Sequence, residues 1–123
     1  MIAIDTSSLR RFLDGRSGDD VRAVRDAIER GVAVLPPPVL CEALSDPALP
    51  PAMAEDIAAL PALELLDGFW QRAGLLRSHV MRRGHKAKLA DSLIAQSCID
   101  HEVPLITHDR DFRHFARWGL LLA

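Results

Sequence analysis

Four carboxylates, Asp5, Glu42, Asp91 and Asp109, stand at or just beyond the ends of short apolar runs in this sequence. Any one acid beside a helix start reads by default as a solvated charge or a cap. Four of them in such places are harder to dismiss. Clustered carboxylates repel and push one another's pKa upward unless a cation neutralises them. With oxygen ligands only and no organised Cys or His, a hard divalent ion, magnesium or manganese, is selected over zinc. Such ions bridge phosphate oxygens and activate water. The set therefore points to an acidic metal-binding pocket suited to phosphodiester hydrolysis.

Each acid is singled out by a different local argument. Asp5 directly follows the apolar run Ile2-Ala3-Ile4, and Asp109 follows Val103–Ile106 after a short gap, so both should project from the carboxyl edge of a sheet. On a helical wheel Asp91 falls within the apolar arc of Ala90, Ile94, Ala95 and Cys98, while Ser92, Gln96 and Asp100 make a polar arc elsewhere. A carboxylate on a buried face is unfavourable unless it is paired, hydrogen-bonded or bound to a cation. Glu42 is marked mainly by its place after the second apolar run.

A basic segment leads into Asp91. Phe69 to Ala90 contains no Asp or Glu but holds Arg72, Arg77, Arg82, Arg83, Lys86 and Lys88. The ordinary reading is a solvated helix face. Next to an acidic pocket the same run suits a phosphate backbone, with Arg82, Arg83, Lys86 and Lys88 as the substrate-binding candidates.

These residues need a scaffold, and the pattern describes one. Ile2–Ile4 reads as a strand entering a helix at Leu9, Asp19–Arg30 as a helix stopped by Gly31, and Val32–Leu35 as a second strand. Pro38 suits the first turn of the helix carrying Glu42. A short helix around Met53–Leu60, a strand at Leu63–Leu66, a long helix from Phe69 to Gly84 and another over Leu89–Asp100 follow. Val103–Ile106, a short helix at Asp111–Arg117 and a last strand at Gly119–Leu122 complete the chain. Alternating strands and helices predict a three-layer α/β/α sandwich with a central parallel sheet of four to five strands, as one domain over 1–123.

Composition excludes several classes. The 123 residues are 49% hydrophobic and 26% charged with a net charge of -2, so there is core material for one domain and no global basic footprint. No stretch resembles a secretory signal or a membrane span, and the expectation is a cytoplasmic protein. Cys41 and Cys98 lack metal-ligand spacing and read as reduced core residues. The five histidines show no H-x-x-x-H pair; His85 and His108 are secondary candidates for substrate contact. Trp70, Gly74 and Met81 form a second stripe on the long helix, read as core packing or as a dimer face.

The opening Asp5-Thr6-Ser7, Glu42 within Pro-Val-Leu-Cys-Glu-Ala, Asp91-Ser-Leu-Ile-Ala and Leu-Ile-Thr107-His-Asp109-Arg-Asp111-Phe together resemble the PIN-domain ribonucleases, the bacterial VapC toxins in particular. The resemblance spans nearly the whole chain. It implies a PIN-like fold, magnesium- or manganese-dependent endoribonuclease activity, a homodimer and a cognate antitoxin as partner. It makes Asp5, Glu42, Asp91 and Asp109 the catalytic set, with Asp5 and Asp91 touching metal and Thr6 and Thr107 orienting ligands from behind. Asp111 is left as a helix cap or a partner of Arg110 or Arg113. Because Lys88-Leu89-Ala90 precedes Asp91 where some family members carry another acid, one tightly held ion is expected rather than two.

Two other readings compete. A haloacid-dehalogenase-type phosphatase needs a second Asp two residues after the first, where this chain has Ser7, and a receiver domain needs an acidic pair and a lysine that are absent here. A degenerate PIN-like module that only binds RNA or protein would have little reason to keep four acids.

Overall fold

A computed structural model describes residues 1–123. Three parallel strands, β1 (Ile2–Ile4), β2 (Ala33–Val34) and β3 (Leu105–Ile106), form a sheet in the order β2-β1-β3. Ile2 pairs with Ala33, and Ala3 with both Val34 and Leu105. Ala3 and Ile4 point to opposite faces, and both are wholly buried, so helices cover the sheet on both sides.

The expected four to five strands are corrected to three, flanked by single parallel bridges at Leu35–Ala62 and Leu105–Leu122. The cause is visible in the side chains. In the segment read as a strand at Leu63–Leu66, only Leu63 is buried while Leu65 and Leu66 face solvent. At the terminus Leu120 is buried and Leu121 and Leu122 are exposed. A single inward residue anchors each segment but does not extend a ladder.

The helices are α1 (Thr6–Leu13), α2 (Asp19–Glu29), α3 (Pro37–Leu44), α4 (Pro51–Ala58), α5 (Phe69–Arg82) and α6 (Leu89–His101), followed by a 3-10 helix, Arg110–Trp118. Prolines at the first positions of α3 and α4 use a site where no amide hydrogen is needed. Gly31 (φ 70°) and Gly84 (φ 83°) turn the chain after α2 and α5 through the left-handed region that side chains disfavour. α5 packs along α6, and α6 meets α3 and the 3-10 helix; α1 and α2 pair elsewhere, with α2 reaching β2 and β3. Phe112, Phe115, Ile4, Leu9, Leu35 and Ile94 are among the largest fully buried side chains.

α6 departs from the expected amphipathic wheel. Ser92, Gln96 and Ser97 are buried alongside Ile94, Ala95 and Cys98. Ser92 and Ser97 each return a hydroxyl bond to the carbonyl four residues earlier, and Gln96 donates to Asp100, so the polar arc is satisfied inside the fold. Arg72 from α5 grips the same Asp100 with two bonds, Nε to Oδ1 at 2.9 Å and Nη2 to Oδ2 at 2.6 Å.

β1 sits between β2 and β3, so successive connections leave it in opposite directions. Parallel sheets form a crevice beyond the strand ends at such a reversal. Asp5 is the residue that emerges there.

Candidate metal-binding active site

Asp5 takes its place from backbone pairing: its amide donates to Ile106 O at 2.9 Å, continuing the β1–β3 ladder by one residue. It then caps α1, its side chain accepting the Ser7 amide. Asp5 is only 3% exposed. Its Oδ2 accepts hydroxyl bonds from Ser7 (2.7 Å) and Thr107 (2.9 Å). Burial nevertheless wins over these bonds and raises the carboxyl above the usual aspartate range.

Thr107 links two acids. While donating to Asp5 it accepts the Asp109 amide at 3.0 Å. Asp109 in turn caps the 3-10 helix by accepting the Asp111 amide at 2.9 Å. The capping role weighed for Asp111 thus belongs to Asp109, and Asp111 forms no ion pair with Arg110 or Arg113. Across the crevice Thr6 Oγ1 donates to Glu42 Oε1 at 2.7 Å, fixing the α3 carboxylate against the start of α1.

Asp91 lies in the first turn of α6, half-buried. Its pKa is pushed up to about 6, first by burial, then by the charges of Asp5 and Asp109 and, more weakly, Glu42; Lys88 opposes them. Asp91 is therefore the acid on which the other three converge electrostatically. The Asp5 charge, added to burial, also pushes the Cys98 thiol up to about 12, which makes that thiol inert.

No three carboxylates, imidazoles or thiols stand close enough to enclose an ion by themselves. A closed cage is not what a small hard cation requires. Magnesium keeps several waters and is held by one or two carboxylates together with substrate phosphates. The donors here, carboxylate and hydroxyl oxygens around a carboxylate whose pKa is raised by burial and then by neighbouring acids, fit that mode of binding.

Of the basic candidates, Lys88 is the one within electrostatic reach of the acids, through Asp91. Arg82, Arg83 and Lys86 are exposed, and no ion pair engages any of the four. His108 donates its backbone amide to Ser7 Oγ, while its ring lies 3.9 Å from Asp20. His85 stacks on His114 with centroids 4.1 Å apart.

The structure changes two expectations about apolar residues. Cys41 is exposed rather than core. Trp70 and Met81 are exposed at 64% and 45%, which removes core packing as their explanation.

Sequence reasoning misses two residues with a part in the site. Ser7 reads in sequence only as a helix-cap oxygen; its place two positions after the strand-end acid is the available signal. Asp20 carries no local signal at all. It accepts bonds from Ser8 and Arg11 and thereby ties α2 to α1 behind the site. Arg11 holds its carboxyl below the usual range despite the opposing effect of burial.

The PIN-domain family model matches residues 2–117, a span that contains all four acids. The chain belongs to the PIN-domain family. Among curated protein sequences, no significant match to this PIN domain is found. Solved structures resemble it across the full chain. The FitAcB crystal structure from Neisseria gonorrhoeae aligns with a TM-score of 0.71 at 16% identity, covering 100% of this chain and 97% of that one. FitAB bound to an IR36 DNA fragment gives 0.75 at 17% identity, covering 100% and 94%. VapBC2 from Rickettsia felis, bound to a DNA fragment from its promoter, gives 0.70 at 17%, covering 100% and 98%. At these identities the likeness establishes a shared PIN fold.

Proposed function

We propose that this PIN domain is a divalent-metal-dependent endoribonuclease, the toxin of a VapC-like toxin–antitoxin pair. The observation that carries the reading is geometric: Thr107 ties Asp5 to the turn bearing Asp109, Thr6 holds Glu42 against the same helix start, and Asp91 lies half-buried in the first turn of α6, its carboxyl raised by burial and by the other three acids. Natural folds do not gather like charges around a half-buried acid without a compensating cation or a chemical use.

Magnesium or manganese, when bound, supplies positive charge that screens the acids and stabilises charge building on the scissile phosphate. Asp5 and Asp91 would hold the ion. Ser7 and Thr107 keep one oxygen of Asp5 fixed, and Thr6 keeps Glu42 turned towards the crevice to take the proton of the attacking water. Asp109, locked as a cap, adds negative potential without moving. Lys88, with Arg82, Arg83 and Lys86 further along, draws in the RNA backbone.

The partners follow from the same reading: RNA as substrate, a cognate antitoxin, and a homodimer in the cytoplasm. The similarity to FitAB and VapBC2, each solved as a complex on DNA, supports a protein partner. No helix is long and apolar enough to cross a membrane.

The test is incubation of purified protein with single-stranded RNA in magnesium or manganese and in chelator, with DNA of the same sequence alongside. The reading expects metal-dependent cleavage of RNA. Manganese binding without cleavage of either nucleic acid leaves the binding-module alternative standing instead.

A further inference from the structure

The acids account for charge chemistry at the phosphate but offer nothing to a base. A cleft of about 340 Å³ next to them does. Its wall includes Glu42 among mostly apolar residues, Leu65, Trp70, Ala90 and Leu93, together with Cys41. Ala90 directly precedes Asp91, so the cleft lies against α3 and α6, the helices that carry Glu42 and Asp91.

Trp70 gives the cleft its character. It leaves 64% of its surface in solvent, an unusual exposure for the largest apolar side chain. It is also not free to wander, because it packs edge-to-face on the buried Phe69 with centroids 5.2 Å apart. A held, exposed indole beside an apolar wall is a stacking platform. Unpaired RNA bases splay out and stack on such aromatic faces, whereas base-paired RNA cannot present them.

We propose that this cleft is a nucleobase subsite: one unpaired base next to the scissile phosphate stacks on Trp70 against Leu93 while the phosphate lies at the acids. This rests on the reading of the acids as an RNA-cleaving site. The near absence of polar groups beyond Glu42 makes the subsite select single-stranded over paired RNA. With almost no polar atom facing into it, the cleft gives little discrimination between bases by hydrogen bonding.

Equilibrium binding in chelator separates the subsite from catalysis, since it needs no cleavage. A single-stranded RNA is scanned with one abasic nucleotide at each position, against the wild type, Trp70→Ala and Trp70→Phe. The wild type is expected to lose affinity at one position by about 5- to 150-fold, the range of one aromatic stack. Trp70→Ala should lose as much on intact RNA and become indifferent to the abasic site, with Trp70→Phe intermediate. Unchanged affinity in Trp70→Ala overturns the proposal. So does a Trp70→Ala protein that changes only from dimer to monomer by light scattering, with RNA affinity per protomer intact, which assigns the indole to a second copy of the chain. Failure of the wild type to cleave RNA sinks the nuclease reading separately, because the abasic scan is read by binding alone.

Discussion

Thr107 and Asp5 lie 102 residues apart in sequence yet share a hydrogen bond of 2.9 Å, hydroxyl to carboxylate, at the head of the central strand. The same hydroxyl accepts the Asp109 amide, so one side chain sets the positions of two acids. Ser7 supports the same Asp5 oxygen from α1.

Removing those donors should loosen the site without unfolding the chain. For Thr107→Val and Ser7→Ala we expect manganese affinity, measured calorimetrically, to fall by about 10- to 100-fold each, the usual effect of deleting a group that orients a ligand. Secondary structure by circular dichroism should be unchanged. Affinity equal to wild type in both variants would remove these hydroxyls from the site.

Asp91 makes the metal-free site a source of instability. Its folded pKa of about 6 lies above the ordinary 3.8, so the folded state holds more protons than the unfolded one between those values. Its contribution to stability is therefore most favourable below pH 4 and declines as pH rises through 6. Asp91→Asn should be more stable than wild type at pH 7.5 in chelator. Allowing for the solvent-facing half of the group, the gain is on the order of 1 kcal/mol, or about 4 °C in Tm. The gap should close as pH falls towards 4. A wild type that melts above Asp91→Asn at pH 7.5 contradicts this crowding of charge.

The same titration ties metal to protons. Binding of a cation requires the ionised carboxylate, so manganese affinity should weaken as pH drops below about 6, and binding at pH 6 should release protons. Heats measured in buffers of different ionisation enthalpy read that release directly; heats independent of buffer would exclude it.

The basic segment is tested by salt. Neutralising Arg82, Arg83, Lys86 and Lys88 should weaken RNA binding uniformly across sequences and flatten the dependence of log K on log salt by about 0.7 for each phosphate left without its cation. Lys88→Gln should have the largest effect of the single changes, because the Lys88 charge acts on Asp91. An unchanged slope in the fourfold variant would place the RNA elsewhere.

The scaffold is legible in the sequence where pattern and position agree. Ile2–Ile4 announces a buried strand because it is a short apolar run that ends at a carboxylate, and Asp5 then has one place to go, the strand's carboxyl end. The two outer segments are not strands because an apolar run does not reveal which residues find a partner ladder; Leu65, Leu66, Leu121 and Leu122 face outwards. Asp91 stands out on a wheel that α6 does not obey, since Ser92, Gln96 and Ser97 are more deeply buried than Asp91 itself. Internal bonds to carbonyls and to Asp100 hide their polarity, and a sequence cannot show that. Ser7 is hard to pick out for a different reason: its bond to Asp5 looks in sequence like ordinary helix capping, and its tie to the His108 amide spans 101 residues.

If the four acids form one RNA-cleaving centre, single-turnover cleavage of single-stranded RNA in manganese must separate wild type from Asp91→Asn. Asp91→Asn should remain folded and lose about 100-fold or more in rate, the scale of removing an electrostatic element from an active centre. Equal rates in the two proteins would contradict it.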